Sequence, residues 1–99
     1  MKHPASISHD EALVEELRRS PAFAAEYLQA AIEEDEPKVL LIALRRIAEA
    51  RGGIAKVAKA AGVERESLYR ALSARGNPRL STLTAVAKAL GLKLTFEAA

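Results

Sequence analysis

The feature that most constrains the fold of this chain is the helical spacing of its apolar residues. Between Ser20 and Gly53, alanine, leucine and isoleucine recur every three or four positions, which is the pattern of helices with one buried face. The 99 residues include only four aromatic ones, and glycine and proline together number nine. This composition disfavours β-sandwiches, barrels and disordered tracts, so we expect one compact, mainly α-helical domain.

The composition also excludes several classes of protein. Cysteine is absent, which removes a disulfide framework, a thiolate nucleophile and a cysteine-based zinc site. No apolar run approaches the roughly 20 residues that a membrane helix needs. The first residues, MKHPASISHDE, lack the apolar core of a signal peptide. We therefore predict a cytoplasmic protein that does not enter a membrane.

Charge divides the chain into two regions. Residues 1–44 contain four Lys/Arg and nine Asp/Glu, a net charge of −5, whereas residues 45–99 contain eleven and four, a net charge of +7. We expect an acidic helical region at 1–44 that packs on a basic region at 45–99. A basic region favours a nucleic-acid interface, with ordinary solvated surface as the alternative.

Two helices are predicted in the acidic region. Ser8 and Glu11 have the spacing of a capping box and predict the start of the first helix. Ser20 is a candidate N-cap, and Pro21 suits the first position of a second helix that ends near Asp35. The predicted buried stripe of this second helix consists of Phe23, Ala24, Tyr27, Leu28, Ala31 and Ile32.

The next segment, KVLLIALRRIAEARGG, is the most apolar in the chain and predicts a central helix after Pro37. Gly52 and Gly53 provide a left-handed stop at its end. The residues with helical spacing that we expect to be buried are Leu40, Leu41, Leu44, Ile47 and Ala48.

The segment IAKVAKAAGVERESLYRALS predicts two short helices that flank Gly62. Ala58 is small enough for a close crossing of the two helices, and Gly62 can take the positive φ of a tight turn. Val63, Leu68 and Leu72 are expected to point inward. A helix-turn-helix of this kind would present Arg65, Glu66, Tyr69 and Arg70 to the DNA major groove. An ordinary helical hairpin is the alternative.

The C-terminal part predicts a loop, a helix and a strand. Residues 76–78 read GNP and indicate the loop, Ser81 is a candidate N-cap for a helix over 82–90, and Gly91 ends that helix. The alternation of apolar and polar residues in LKLTFE, residues 92–97, predicts a short β-strand. Because this strand has no partner in the chain, we expect it to pair with a second copy across a two-fold axis, in a homodimer.

The string ARGGIAKVAKAAGVERESLYRALSARGNPRLSTLTAVAKALGLKL resembles the helix-turn-helix of XRE-type, phage-repressor-like DNA-binding proteins. With the upstream YLQAAIEEDEPKVLLIALRR it is similar to HigA-type antitoxins, the addiction module antidotes encoded beside a small RelE-type toxin. The resemblance covers Glu26 to Leu94 and is most specific at ESLYRALS and GNPRLSTL. It implies a phage-repressor-like helical bundle with extra N-terminal helices, repression of its own operon and neutralisation of a RelE/HigB-type toxin. A stand-alone XRE-family regulator is the alternative.

The resemblance also implies which residues contact operator DNA. Arg70 is the best candidate to read a guanine, with a phosphate contact as the alternative. Glu66 either accepts from cytosine or orients a neighbouring arginine. Many relatives place a phosphate-binding glutamine where this chain has Ile54 and Ala55. The full set of predicted DNA-binding residues is Lys56, Lys59, Arg65, Glu66, Ser67, Tyr69, Arg70, Arg75, Asn77, Arg79 and Ser81.

Enzymatic function is disfavoured by the residues available. The only histidines, His3 and His9, lie near the N-terminus and are expected to be solvated, as is the acidic run 33–36. There is no P-loop, no dinucleotide-binding glycine motif and no nucleophile with a base beside it, so we predict no catalytic residue, cofactor or metal.

A basic toxin would complement the charge of residues 10–44, which makes this segment the candidate toxin-binding surface. Leu13, Leu17 and Tyr27 are candidate apolar contacts with the toxin, although the same residues suit the core.

Overall fold

The structure is a computed structural model, and it describes residues 9–99. Its helices are α1 (His9–Arg19), α2 (Pro21–Glu33), α3 (Pro37–Ala50), α4 (Ile54–Ala61), α5 (Arg65–Ala71) and α6 (Leu80–Ala89). None of the described residues lies in a strand. The predicted all-α class is therefore confirmed, while the expected capping role of Ser8 falls outside the described residues.

The start of α2 forms as its sequence predicts. Ser20 has extended backbone, and its Oγ accepts a hydrogen bond from the Phe23 amide at 3.0 Å, so the predicted N-cap is confirmed. The helix ends at Glu33, earlier than expected, because Asp35 takes a positive φ of 60° that a right-handed helix cannot contain. Ile32 is 48% exposed, so its assignment to the buried stripe was wrong.

Helix α3 is the centre of the N-terminal region, since α1 and α2 both pack against it. Its predicted apolar face is buried at Leu41, Leu44, Ile47 and Ala48, and Leu40 is half-buried. After α3, Gly52 and Gly53 both have positive φ, and the Gly53 amide donates to the Ala48 carbonyl at 3.0 Å. The predicted left-handed stop is confirmed.

Helices α4 and α5 are joined by the turn that the sequence predicts. Ala58 is only 2% exposed, and Gly62 has φ of 72° in the left-handed region. The Val63 amide donates to the Ala58 carbonyl at 3.0 Å, which closes the end of α4. Leu68 and Leu72 are fully buried, as expected. Helix α4 also packs against α6, so it lies between the other two C-terminal helices.

Helix α6 begins at Leu80, with Arg79 as its N-cap residue, so the predicted capping role of Ser81 was wrong. Arg79 has the extended backbone of an N-cap residue, so the helix begins two residues earlier than expected. Ser81 therefore already has helical backbone in the first turn, where its hydroxyl cannot act as the N-cap. Gly91, with φ of 75°, ends the helix region as predicted.

The predicted C-terminal strand does not form. Residues 92–99 have no regular secondary structure, because the rest of the described chain offers no strand to supply ladder hydrogen bonds. Leu92 packs against the core, whereas Leu94 is 41% and Phe96 is 90% exposed. Alternation of apolar and polar residues was not sufficient without a partner strand.

One hydrophobic core joins the acidic and basic regions. Leu17, Leu41 and Ile47 belong to the same buried cluster as Leu68 and Leu90. Leu17 is 0% exposed, so it is a core residue and its expected role as a toxin contact was wrong. Leu13 and Tyr27 are half-buried and also pack against the core.

Arg51 connects three helix ends across this core. It follows α3, its Nε donates to the Leu17 carbonyl at 2.7 Å, and its Nη1 donates to the Leu90 carbonyl at 2.9 Å. The two carbonyls lie at the C-terminal ends of α1 and α6, where backbone acceptors lack helical partners and the helix dipole favours a cation. Arg51 thus fixes the two regions to each other.

Candidate nucleic-acid interface

Helix α5 has one buried residue and an exposed outer face. Leu68 is fully buried, and the four residues predicted to lie on the outer side are all exposed, with Tyr69 46% exposed. The exposed face follows from the position of Leu68, which anchors this seven-residue helix to the core through a single side chain. Arg65, Glu66, Ser67 and Arg70 share this exposure.

At the start of α5, Arg65 and Glu66 form an ion pair. Arg65 Nη1 donates to Glu66 Oε1 at 3.2 Å, with the two side chains 64% and 66% exposed. Such an exposed pair contributes less than about 1 kcal/mol to stability. The predicted role of Glu66 in orienting a neighbouring arginine toward DNA stays a prediction. Ser67 Oγ donates to Glu64 Oε1 at a long 3.4 Å.

Arg70 is the freest cation on α5. Its side chain is exposed, and within residues 9–99 the guanidinium has no hydrogen-bond or ion-pair partner. Five N–H donors are therefore available to a planar acceptor such as the guanine edge or a phosphate. No local contact would have to break before Arg70 binds such an acceptor.

Tyr69 has an intramolecular partner that sequence reasoning missed. Arg45 of α3 donates from Nη2 to the Tyr69 hydroxyl oxygen at 2.8 Å, and its guanidinium carbon lies 4.3 Å from the centre of the Tyr69 ring. The hydrogen bond to Tyr69 raises the pKa of Arg45 above its usual value. No short-range pattern joins residues 24 positions apart.

The loop after α5 is held against that helix by a close backbone approach at Gly76. A Cβ atom at this position would lie 1.9 Å from the Ala71 carbonyl oxygen, so only glycine fits. The Gly76 amide donates to the Ser73 carbonyl at 2.9 Å. This packing sets the position of Arg75 and Asn77 beside the end of α5, and the sequence assigned Gly76 only to a loop.

The other predicted contact residues surround α5. Lys56 and Lys59 are exposed on α4, which packs against α5, while Arg79 and Ser81 are exposed at the start of α6. All eleven predicted DNA-binding residues are therefore exposed to solvent.

A cleft of about 520 Å³ between α1, α3 and the end of α5 carries charge of both signs. Its arginines already have partners, because Arg46 pairs with Asp10 and Arg45 pairs with Glu49 at 3.4 Å. No group of three or more potential metal ligands occurs among residues 9–99. Across the same range, no helix has the length and apolar character required to cross a membrane.

Fold and surface define a class of small, mainly α-helical proteins with a basic C-terminal half whose charged side chains on α4 and α5 are exposed. Residues 10–98 match the family model described as "Probable addiction module antidote protein", and the chain belongs to that family. It is 45% identical over 71 residues to an uncharacterized protein of Haemophilus influenzae, a match that covers 72% of each chain. No solved structure matches this chain.

Proposed function

We propose that this chain is the antitoxin of a toxin–antitoxin module and that it also represses its own operon by binding DNA. Membership of an antidote family over residues 10–98 carries the antitoxin part and implies a non-enzymatic regulatory protein with a toxin as its partner. The exposed guanidinium of Arg70 on α5, which has no partner among the described residues, carries the DNA-binding part. A cytoplasmic location is part of this proposal, because promoter DNA is one of the two proposed partners.

In this proposal α4, the Gly62 turn and α5 form an XRE-type helix-turn-helix, with α5 in the major groove. Arg70 reads a guanine through its planar fork, and Glu66 holds Arg65 in place. The Tyr69 hydroxyl accepts a hydrogen bond from Arg45, so Tyr69 serves as a packing or phosphate contact and does not read a base.

The remaining exposed residues bind the DNA backbone. Lys56, Lys59, Arg75 and Arg79 neutralise phosphates, so binding weakens steeply as the salt concentration rises. Ser67, Asn77 and Ser81 donate hydrogen bonds to phosphate oxygens.

The proposal includes a homodimer, because each chain offers one α5 and operator half-sites lie about one helical turn, roughly 34 Å, apart. The exposed Leu94 and Phe96 support self-association, because burying apolar side chains of this size in an interface would stabilise a dimer. The toxin partner is of RelE/HigB type, a basic protein that the acidic region at 1–44 attracts.

Two experiments test the proposal. Co-expression with the neighbouring gene, followed by purification, should yield a complex in which the toxin is inactive. Absence of any complex would leave a stand-alone XRE-family regulator as the better account.

On promoter DNA, Arg70→Ala should weaken specific binding by roughly 1 to 3 kcal/mol and relax base preference. Lys59→Ala is the matched control, because it should weaken binding to all sequences alike. Equal losses on specific and non-specific DNA for both variants would make Arg70 a phosphate contact.

A further inference from the structure

A shallow groove between α2 and α3 leaves apolar side chains on the surface of the acidic region. It has a volume of about 330 Å³ and is lined by Tyr27 and Ala31 of α2 and by Val39 and Ile42 of α3. Ile42 is 45% exposed, although α3 is the most buried helix of the fold. Tyr27 and Val39 are half-buried and Ala31 is buried, so they form the floor of the groove beside the exposed Ile42. A single exposed apolar residue is common, but one beside an apolar groove can act as a contact site.

Carboxylates surround one end of this groove. Glu33, Glu34, Asp35 and Glu36 are all exposed, and Glu34 lines the groove itself. Among them, within residues 9–99, only Glu36 forms an ion pair, with Lys38 at 3.4 Å. Residues 20–44 contain five carboxylates and one lysine, which leaves this helix pair with a net charge of −4.

Local stability does not explain the carboxylates at the end of α2. Glu33 and Glu34 lie at the C-terminal end of the helix, where the helix dipole is negative and favours cations. They also repel Asp35 and Glu36, their neighbours along the chain. Because their position is unfavourable for folding, an interaction with another molecule is the better explanation of this acidic run.

We propose that the α2–α3 groove is the anchoring site for the toxin, with an apolar toxin side chain seated against Ile42 and basic toxin residues facing 33–36. This inference rests on the proposed antitoxin function and identifies the surface that binds the toxin. The negative charge of the α2–α3 pair favours a basic protein as the partner. DNA, RNA and anionic membranes are repelled by a net charge of −4, and a two-fold contact with a second copy would place acidic on acidic.

The groove and its rim act on different steps of binding. The apolar contact is desolvated in the complex and controls dissociation, as buried anchors do in other interfaces. The exposed carboxylates control the association rate and its dependence on salt. The two contributions can therefore be separated by kinetics.

The first test uses two matched variants and, as the probe, the purified protein encoded beside this chain's gene. Ile42→Arg should weaken toxin binding at least about 30-fold, which converts from about 2 kcal/mol, chiefly through faster dissociation. Ile32→Arg is the control, because Ile32 is 48% exposed but lines a different pocket. The two variants have the same net charge and the same residue change, so both should slow toxin association to a similar extent, whereas the dissociation rate of the control should stay within about twofold of that of the unmodified chain.

The second test uses the double variant Glu33→Lys, Glu34→Lys. It should raise the melting temperature by a few degrees, because lysines suit the C-terminal end of α2. It should at the same time slow toxin association and flatten its salt dependence. A purely structural role for these carboxylates would not combine higher stability with weaker binding.

The outcomes separate the site from the function. If the unmodified chain binds the toxin and Ile42→Arg binds equally well, the groove is not the anchoring site and the antitoxin function stands. If Ile42→Arg changes only the oligomeric state, the groove is an interface between copies of this chain. If the unmodified chain does not bind the toxin, the proposed function fails together with this site.

Discussion

The three N-terminal helices and the three C-terminal helices are stabilised in different ways. Helices α1 to α3 have 11, 13 and 14 residues, whereas α4 to α6 have 8, 7 and 10. Both sets of helices bury apolar side chains in the same core, but the connections on either side of the short helix α5 also depend on glycine, at Gly62 and at Gly76. The comparison teaches that side-chain packing stabilises both halves, and that the basic half in addition requires backbone geometry that only glycine allows at Gly76.

The two halves also differ in their surface chemistry while sharing one core. Among residues 9–99, the carboxylates of Glu33, Glu34 and Asp35 and the guanidinium of Arg70 have no ion-pair partner. The shared core and Arg51 join the two halves, so we expect them to unfold together in one cooperative transition.

The largest effect is expected from a substitution that disrupts the backbone geometry of the C-terminal half. Gly76→Ala should lower the free energy of unfolding by about 3 kcal/mol, because the new Cβ collides with backbone atoms of Ala71. Gly62→Ala is the control, since nothing lies within 4 Å of its Cβ position and only the positive φ costs about 1–2 kcal/mol. Urea unfolding of both variants measures the difference, and equal losses would refute the role given to Gly76.

The next effect tests the connection between the halves. Arg51→Met should destabilise the fold by about 2 kcal/mol, because the Leu17 and Leu90 carbonyls lose their charge-assisted partner. Thermal unfolding should show one transition in the unmodified chain and a lower one in the variant. Arg18→Met, which removes an exposed pair with Glu15, should change stability by less than about 0.5 kcal/mol. A loss no larger than that control would contradict the account of Arg51.

The smallest effect on stability is expected at the contact between Arg45 of α3 and Tyr69 of α5. Tyr69→Phe should cost less than about 1 kcal/mol, because it removes the hydrogen bond from Arg45 but keeps the ring beneath the guanidinium. The pKa of Arg45 is raised in the folded protein, so the stabilisation by its hydrogen bond to Tyr69 is fully present below the pKa that Arg45 has in the unfolded chain. This stabilisation is lost only far above neutral pH. The cost should therefore be equal at pH values near 6 and near 9, and a cost that varies with pH in this range would show that another group titrates there.

The sequence predicted those features that a few neighbouring residues determine. The Ser20 cap and the Gly62 turn follow from local backbone requirements. The contact of Arg45 with Tyr69 depends on how α3 meets α5 and has no local signal. Helical periodicity assigned Ile32 to the buried face of α2, because the pattern does not show whether another element covers the edge of that face.

The central claim is that one core carries a DNA-binding half and a toxin-binding half that act through separate surfaces. The most direct measurement is the affinity of Arg70→Ala and Ile42→Arg for both promoter DNA and the toxin. Arg70→Ala should weaken DNA binding by roughly 1 to 3 kcal/mol and leave toxin binding within about twofold, and Ile42→Arg should do the reverse, at least about 30-fold on the toxin. If either variant weakens both interactions equally, the surfaces overlap and the claim is wrong.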